Sequence, residues 1–191
     1  MYGTLMFNKM ISTFSLTYMV FLFSCLFINL SFISQTTAYE MEAHQTSQFI
    51  YLTRHAEKDK SVSKDPHLTK KGRLRAKNLV KMFLDKDIKR IYSTKYARTL
   101  ETANPSSIKL GLNIQTYDPR NLKQFAELLL STPGNTIIIG HSNTTPNLVN
   151  LLGGIAGANI EESEYDRVYK LRINHGKVET EILRSSASQL R

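Results

Sequence analysis

Two histidines in this chain each stand directly behind a run of β-forming residues. His55 follows FIYLT and Arg54, and His141 follows TIIIG. A third such run, IKRIYST, leads within four residues to Arg98. A cation at the end of a buried strand is costly unless an anion meets it. Arginine keeps its charge at any relevant pH, and its planar fork matches the oxygens of a phosphate. A neutral imidazole can attack phosphorus while a second group gives or takes a proton. Arginines on the equatorial oxygens stabilise the charge spread over them in the transition state. These residue types suit phosphoryl transfer. Lys58 and Ser142 lie near the histidines in sequence and are candidates to extend the anion pocket. The plainer alternatives are a solvated lysine and a capping serine, and the same choice applies to Ser93. His44, His67 and His175 carry no such context and read as surface or packing residues.

The elements that must position these groups follow from the apolar pattern. FIYLT (49–53), IKRIYST (88–94), LNIQTY (112–117) and TIIIG (136–140) read as strands. TIIIG is apolar throughout, as expected of a central strand covered on both faces. Thr69 can N-cap a helix whose inward stripe is Ala76, Leu79, Val80 and Phe83, at i, i+3, i+4 and i+7. YARTLETA (96–103) reads as a short helix stopped near Pro105. NLKQFAELLL (121–130) reads as a helix with Leu122, Phe125 and Leu129 on one face, and HSNTTPNLVNLL enters another with Pro146 early. RVYKLRIN and KVETEILR flank His175-Gly176 as a hairpin at the sheet edge. The expected fold is a three-layer α/β/α sandwich, with a mostly parallel sheet and a C-terminal antiparallel hairpin. Ligands bind such sheets beyond the carboxyl ends of the strands. That rule gathers Arg54 and His55, Ser93 and Arg98, Asp118 and Arg120, and His141 and Ser142 on one edge.

The N-terminus is of another kind. Residues 10–33 contain no charged side chain, Lys9 precedes them, and SQTTA follows before a polar stretch. This order reads as a secretory signal cut after Ala38. Alternatives are an uncleaved membrane anchor, since the run approaches the roughly 20 residues that span a bilayer, and a lipid-modified Cys25. Each of them exports the remainder. The expected organisation is a signal or anchor over 1–38, a short tether over 39–47 and one domain over 48–191. No cysteine follows Cys25, so disulfides cannot hold the domain. Without residues 1–38 the net charge is +8, from 24 Lys and Arg against 16 Asp and Glu. That excess suits an anionic substrate, but a generally basic protein would show it too.

Several chemistries are set aside. His55-Ala56-Glu57 superficially matches the H-x-E of zinc deaminases, which also need a paired-cysteine motif. No H-x-x-H or H-E-x-x-H spacing occurs. Neither a metal nor a cofactor is expected. Nucleic-acid binding has only net charge in its favour, and a monomer is expected.

TRHAEK, LTKKGRLRA, YSTKYARTLETA and IIIGHSN, in this order and spacing, resemble the histidine phosphatase superfamily, also called phosphoglycerate mutase-like. The likeness covers residues 48–184 and is to the short branch without cap insertions. It implies that His55 is the nucleophile, becoming phosphohistidine and then releasing phosphate to water. It further implies that Arg54 and Arg98 clamp the phosphoryl oxygens and that His141 stabilises the transferring group. Thr69 and Gly72 would be structural. The chain departs from the pattern in two places. Ala56 stands where the family usually has glycine, and no clear glutamate follows the third strand as proton donor. Asp118 in TYDPR is nearest to that location and is the expected donor, with Glu57 as the alternative. The resemblance implies a phosphatase, and the export expected from residues 1–38 then favours a phosphorylated sugar, nucleotide or envelope glycan as substrate. Protein phosphohistidine phosphatase activity, and a non-catalytic phosphate- or glycan-binding module, are the rival readings.

Overall fold

The computed structural model describes residues 47–62 and 64–188. The expected signal or anchor and all but the last residue of the tether lie outside them. The described chain runs β1 (Gln48–Arg54), α1 (Lys70–Phe83), β2 (Ile88–Ser93), α2 (Ala97–Leu110), β3 (Ile114–Thr116), α3 (Leu122–Ser131), β4 (Asn135–Gly140), α4 (Thr144–Leu151), β5 (Arg167–Asn174) and β6 (Lys177–Arg184). The six strands form one sheet in the order β3-β2-β4-β1-β5-β6. The first four in that order are parallel, β5 is antiparallel to β1, and β6 is antiparallel to β5. No helix among the described residues is long and apolar enough to cross a membrane.

Alternation along β4 divides the core. Ile138 packs with Ile50 and Leu52 against Leu122, Phe125 and Leu129 of α3 and Leu148 of α4. Ile137 and Ile139 point the other way, with Tyr51, to Leu79 and Phe83 of α1 and Ala103 of α2. Successive side chains of a strand face opposite sides, so a strand between two helical layers must be apolar at every position. The layers are therefore α1 and α2, the sheet, and α3 and α4.

Ala76, Leu79, Val80 and Phe83 form the buried stripe of α1, and the Thr69 hydroxyl caps it by accepting from the Gly72 N–H at 3.0 Å. Two elements depart from the sequence reading. α2 does not stop near Pro105 but continues through it to Leu110, where Gly111 caps it. Its buried face, Thr99, Thr102, Ala103 and Ser106, runs across the proline position. Burial on both sides outweighs the local break that a proline imposes. β3 is three residues long because it is an edge strand that pairs only with Ile91–Ser93. In the hairpin, His175 and Gly176 both take positive φ, 47° and 75°, as a two-residue primed turn requires.

The first loop is pinned to α1. Lys58 bridges Leu68, the Asp59 N–H donates to the His67 carbonyl at 2.9 Å, and the Thr69 N–H donates to the Glu57 carbonyl at 2.9 Å. A Cβ on Gly72 would lie 2.3 Å from that Glu57 oxygen. Glycine inside a helix normally costs about 1 kcal/mol relative to alanine. Here the sign reverses: Gly72→Ala is expected to destabilise by about 1–3 kcal/mol through overpacking. Urea unfolding of the variant measures it, and a gain in stability would contradict the close approach.

Candidate functional site

Strand register brings the two histidines together. Arg54 pairs with Gly140 at the carboxyl ends of β1 and β4, so the next residues, His55 and His141, emerge side by side. Their ring centroids are 5.7 Å apart. The His55 N–H donates to the Gly140 carbonyl at 3.0 Å, and the Ala56 N–H donates to the Thr102 hydroxyl of α2 at 3.0 Å. Ala56 is fully buried beside Leu68 and Ala76, and its φ is not positive, so alanine meets no backbone strain here.

His55 is 3 % exposed. Its Nδ1 lies 2.8 Å from the Ala56 carbonyl oxygen. A carbonyl only accepts, so Nδ1 carries the proton and Nε2 keeps its lone pair. Burial above all, with the fields of Arg54, Arg98 and His141, pushes this imidazole down to about 3 against the opposing Ala56 hydrogen bond. It is neutral at physiological pH.

His141 has the opposite tautomer. Its Nδ1 faces Arg98 Nη2 at 3.5 Å, and a guanidinium can only donate. Nε2 therefore holds the proton and donates to the Thr94 hydroxyl at 3.0 Å. Thr94 in turn donates to Thr99 at 2.8 Å, and Thr99 donates to the Tyr96 carbonyl at 2.8 Å. Burial first, then Arg98, Arg54 and Lys58, lowers His141 to about 4.

Both arginines are anchored yet incompletely satisfied. Arg54 is 2 % exposed, and Tyr165 lies against its guanidinium at 4.2 Å. Its Nη1 donates to the carbonyls of Glu161, Glu162 and Glu164 at 2.9, 3.2 and 3.0 Å, and its Nη2 donates to Glu162 Oε2 at 2.8 Å. Arg98 lies over the Tyr96 ring at 4.5 Å, with Nη1 3.6 Å from Asp65. The Nε of each arginine is buried with no hydrogen-bond partner among the described residues. A buried guanidinium N–H without an acceptor is destabilising until an anion supplies one.

The remaining candidates are placed as follows. Lys58 Nζ stands 3.6 Å from Glu162 Oε1, beside the arginine cradle. Ser142 is half-buried next to His141, and its hydroxyl bonds to no other described residue. Ser93 is buried and donates to the Thr94 carbonyl at 2.9 Å, a capping role. Asp118 is clasped by Arg120, whose Nε and Nη2 donate to it at 3.0 and 2.8 Å, and that bond holds its carboxyl at about 2. It makes no ion pair or hydrogen bond with His55, His141, Arg54 or Arg98. Glu57 is held by Arg75 Nε and Nη2 at 3.0 and 2.7 Å, tying the first loop to α1. Sequence reasoning did not find Glu162, Tyr165 or Asp65. Glu162 and Tyr165 belong to the polar loop NIEESEYDR, whose period marks nothing. Asp65 accepts from the Ala97 N–H at 2.9 Å and so caps the helix that carries Arg98; its pairing with Pro66 was the only local signal.

Outside the cradle lies a cavity of about 540 Å³, whose lining includes Lys58, Lys60, Tyr96, Arg98 and Glu162. Among the described residues no three His, Cys, Asp or Glu side chains gather as a metal-holding group.

Residues 50–128 match the histidine phosphatase superfamily (branch 1). No curated protein matches the chain. Among solved structures, mycobacterial glucosyl-3-phosphoglycerate phosphatase is 14 % identical with a TM-score of 0.58, over 75 % of this chain and all of its own. A histidine-to-alanine variant of phosphoserine phosphatase from Entamoeba histolytica, solved with phosphoserine, is 13 % identical with a TM-score of 0.54, over 74 % and 98 %. YhfR of Bacillus stearothermophilus is 16 % identical with a TM-score of 0.55, over 71 % and 96 %. At such identities the likeness is one of fold. Residues 50–128 thus carry the branch 1 pattern of the histidine phosphatase superfamily, and the described domain has the fold of the phosphatases it matches.

Proposed function

We propose that the protein is a phosphatase that hydrolyses a phosphomonoester through a phosphohistidine formed on His55. One observation carries this reading. A buried imidazole has its Nδ1 proton fixed on the Ala56 carbonyl and its Nε2 lone pair free, near Arg54 and Arg98, whose Nε groups each lack an acceptor among the described residues. In the first step His55 Nε2 attacks phosphorus, the P–O bond to the leaving group breaks, and that oxygen takes a proton. In the second, water attacks the phosphohistidine, the P–N bond breaks, and phosphate leaves with His55 neutral again. Arg54, Arg98 and Lys58 bind the phosphoryl oxygens. His141 supports the transferring group by holding Arg98, which donates toward its Nδ1, and Ser142 adds a donor at the start of α4. Neither Asp118 nor Glu57 acts as the acid in this reading, because each is clasped by an arginine of its own, Arg120 and Arg75. No metal is required by these steps.

The substrate class follows from the charge of the cradle: a small phosphorylated compound or a phosphate on an envelope glycan. The same proposal includes export, resting on the uncharged run at residues 10–33. N-terminal sequencing of the exported protein is expected to begin at Tyr39. A full-length chain held in the membrane fraction would show an anchor instead.

Full-length protein is expected to turn over 4-nitrophenyl phosphate, with His55→Ala reduced to background. Arg98→Gln is expected to lower kcat about 10²-fold, as for loss of one transition-state donor. Vanadate should compete with substrate in the wild type. Phosphate binding without turnover in any of the proteins would favour a non-catalytic module.

The buried histidines also set a pH dependence. Their folded-state values, about 3 and about 4, lie below the ordinary 6.5. The unfolded chain thus binds more protons between those limits. Stability is full above 6.5 and declines as pH falls toward 4 and 3. Imidazole NMR should find His55 and His141 neutral down to pH 5, while His67, raised by its bond to Glu101, protonates above 6.5. A midpoint near 6.5 for His55 would contradict its burial.

A further inference from the structure

The carboxylates of the described domain differ in what holds them. Asp118 is clasped by Arg120 and Glu57 by Arg75. Asp65 is fixed by the Ala97 N–H that it caps, and Glu101 accepts from the Leu68 N–H and pairs with His67. Glu162 is the exception. It is 59 % exposed at its side chain, and among the described residues its two oxygens touch only Arg54 Nη2 at 2.8 Å and Lys58 Nζ at 3.6 Å. Those are two of the donors that the proposed reading gives to the phosphoryl oxygens. Glu162 also lines the cavity just outside the cradle, together with Tyr96 and Arg98.

We propose that Glu162 is the proton donor to the leaving group. The assignment rests on the phosphatase reading above and supplies the acid that neither Asp118 nor Glu57 provides. In the free site Glu162 stands where part of a phosphate would bind. Burial alone would raise its carboxyl, but Arg54, Lys58 and Lys60 hold it below the usual range, so it is ionised. An arriving phosphoryl group takes Arg54 Nη2 and Lys58 for its own oxygens. It thereby strips Glu162 of its cations and sets a dianion beside it. Like charges at contact disfavour two ionised groups, so the carboxylate takes up a proton from solvent. Its exposure leaves it free to turn outward into the cavity that the leaving group occupies.

The steps balance. As the His55 Nε2–P bond forms and the ester P–O bond breaks, the Glu162 carboxyl gives its proton to the departing oxygen. An alcohol and a phosphohistidine remain beside a carboxylate. The carboxylate then accepts a proton from the water that attacks phosphorus, the P–N bond breaks, and phosphate leaves. An acid matters most where the leaving oxygen is a poor anion. An alkyl phosphate depends on it, whereas a nitrophenolate departs with little help.

The test compares full-length wild type, Glu162→Gln and Glu162→Asp on two probes, glycerol phosphate and 2,4-dinitrophenyl phosphate. The readout is the ratio of kcat/KM on glycerol phosphate to that on the nitrophenyl ester. This ratio does not change with the folded fraction of the variant. Glu162→Gln is expected to lower it about 10²-fold or more, the usual scale of acid catalysis, and Glu162→Asp to restore part of it. An unchanged ratio in Glu162→Gln, with both substrates slowed alike or neither slowed, would overturn the assignment and leave the phosphatase reading standing. Wild-type protein that hydrolyses neither probe would overturn both.

Discussion

The site depends on the pairing of Arg54 with Gly140 across β1 and β4. That single register decides that His55 and His141 leave the sheet at the same level, with ring centroids 5.7 Å apart. A slip of one residue would reverse the faces of Ile137, Ile138 and Ile139 and put apolar groups into the wrong layer. The core therefore enforces the geometry of the chemistry. β2 joins the same arrangement, since Ser93 pairs with Ile139 and delivers Thr94 against His141. No loop has to find the histidines; the sheet brings them together.

Around this register the electrostatics are deliberately incomplete. Two guanidinium groups, Arg54 buried and Arg98 half-buried, stand near the histidines, each with a buried Nε that has no acceptor among the described residues. Burial first, and then the same positive field, keeps both imidazoles neutral, which is the state a nucleophile needs. Hydrogen bonds then give the two rings different tasks. The Ala56 carbonyl frees Nε2 of His55, and the Thr94–Thr99 chain fixes the proton of His141 on the far nitrogen. A dianion completes the set by satisfying the cations without asking either ring to change its proton.

Much of this was legible in the sequence because it is periodic or local. The strand runs, the α1 stripe, the Thr69 cap and the His175-Gly176 turn each carry their signal in neighbouring residues, and the strand-end rule then gathered Arg54, His55, Arg98 and His141. Pro105 misled because a local break was weighed without the burial on either side of it. Asp118 is the donor expected at the end of the third strand, and the structure adds what the sequence does not show, that Arg120 two residues away clasps that carboxylate. Glu162 was invisible for a physical reason. Its place beside Arg54 comes from a contact between residues 108 positions apart, and nothing in the loop's own composition distinguishes it from Glu161 or Glu164.

Arg54 is wrapped by the carbonyls of Glu161, Glu162 and Glu164 and by the ring of Tyr165. The guanidinium is therefore the nucleus on which the segment between α4 and β5 is wound. Contacts between partners so far apart in sequence form only after much chain has been closed, so they belong late in folding. The segment can order only once β1 has been placed by β4. The rim of the cradle is thus ordered together with the strand that carries Arg54.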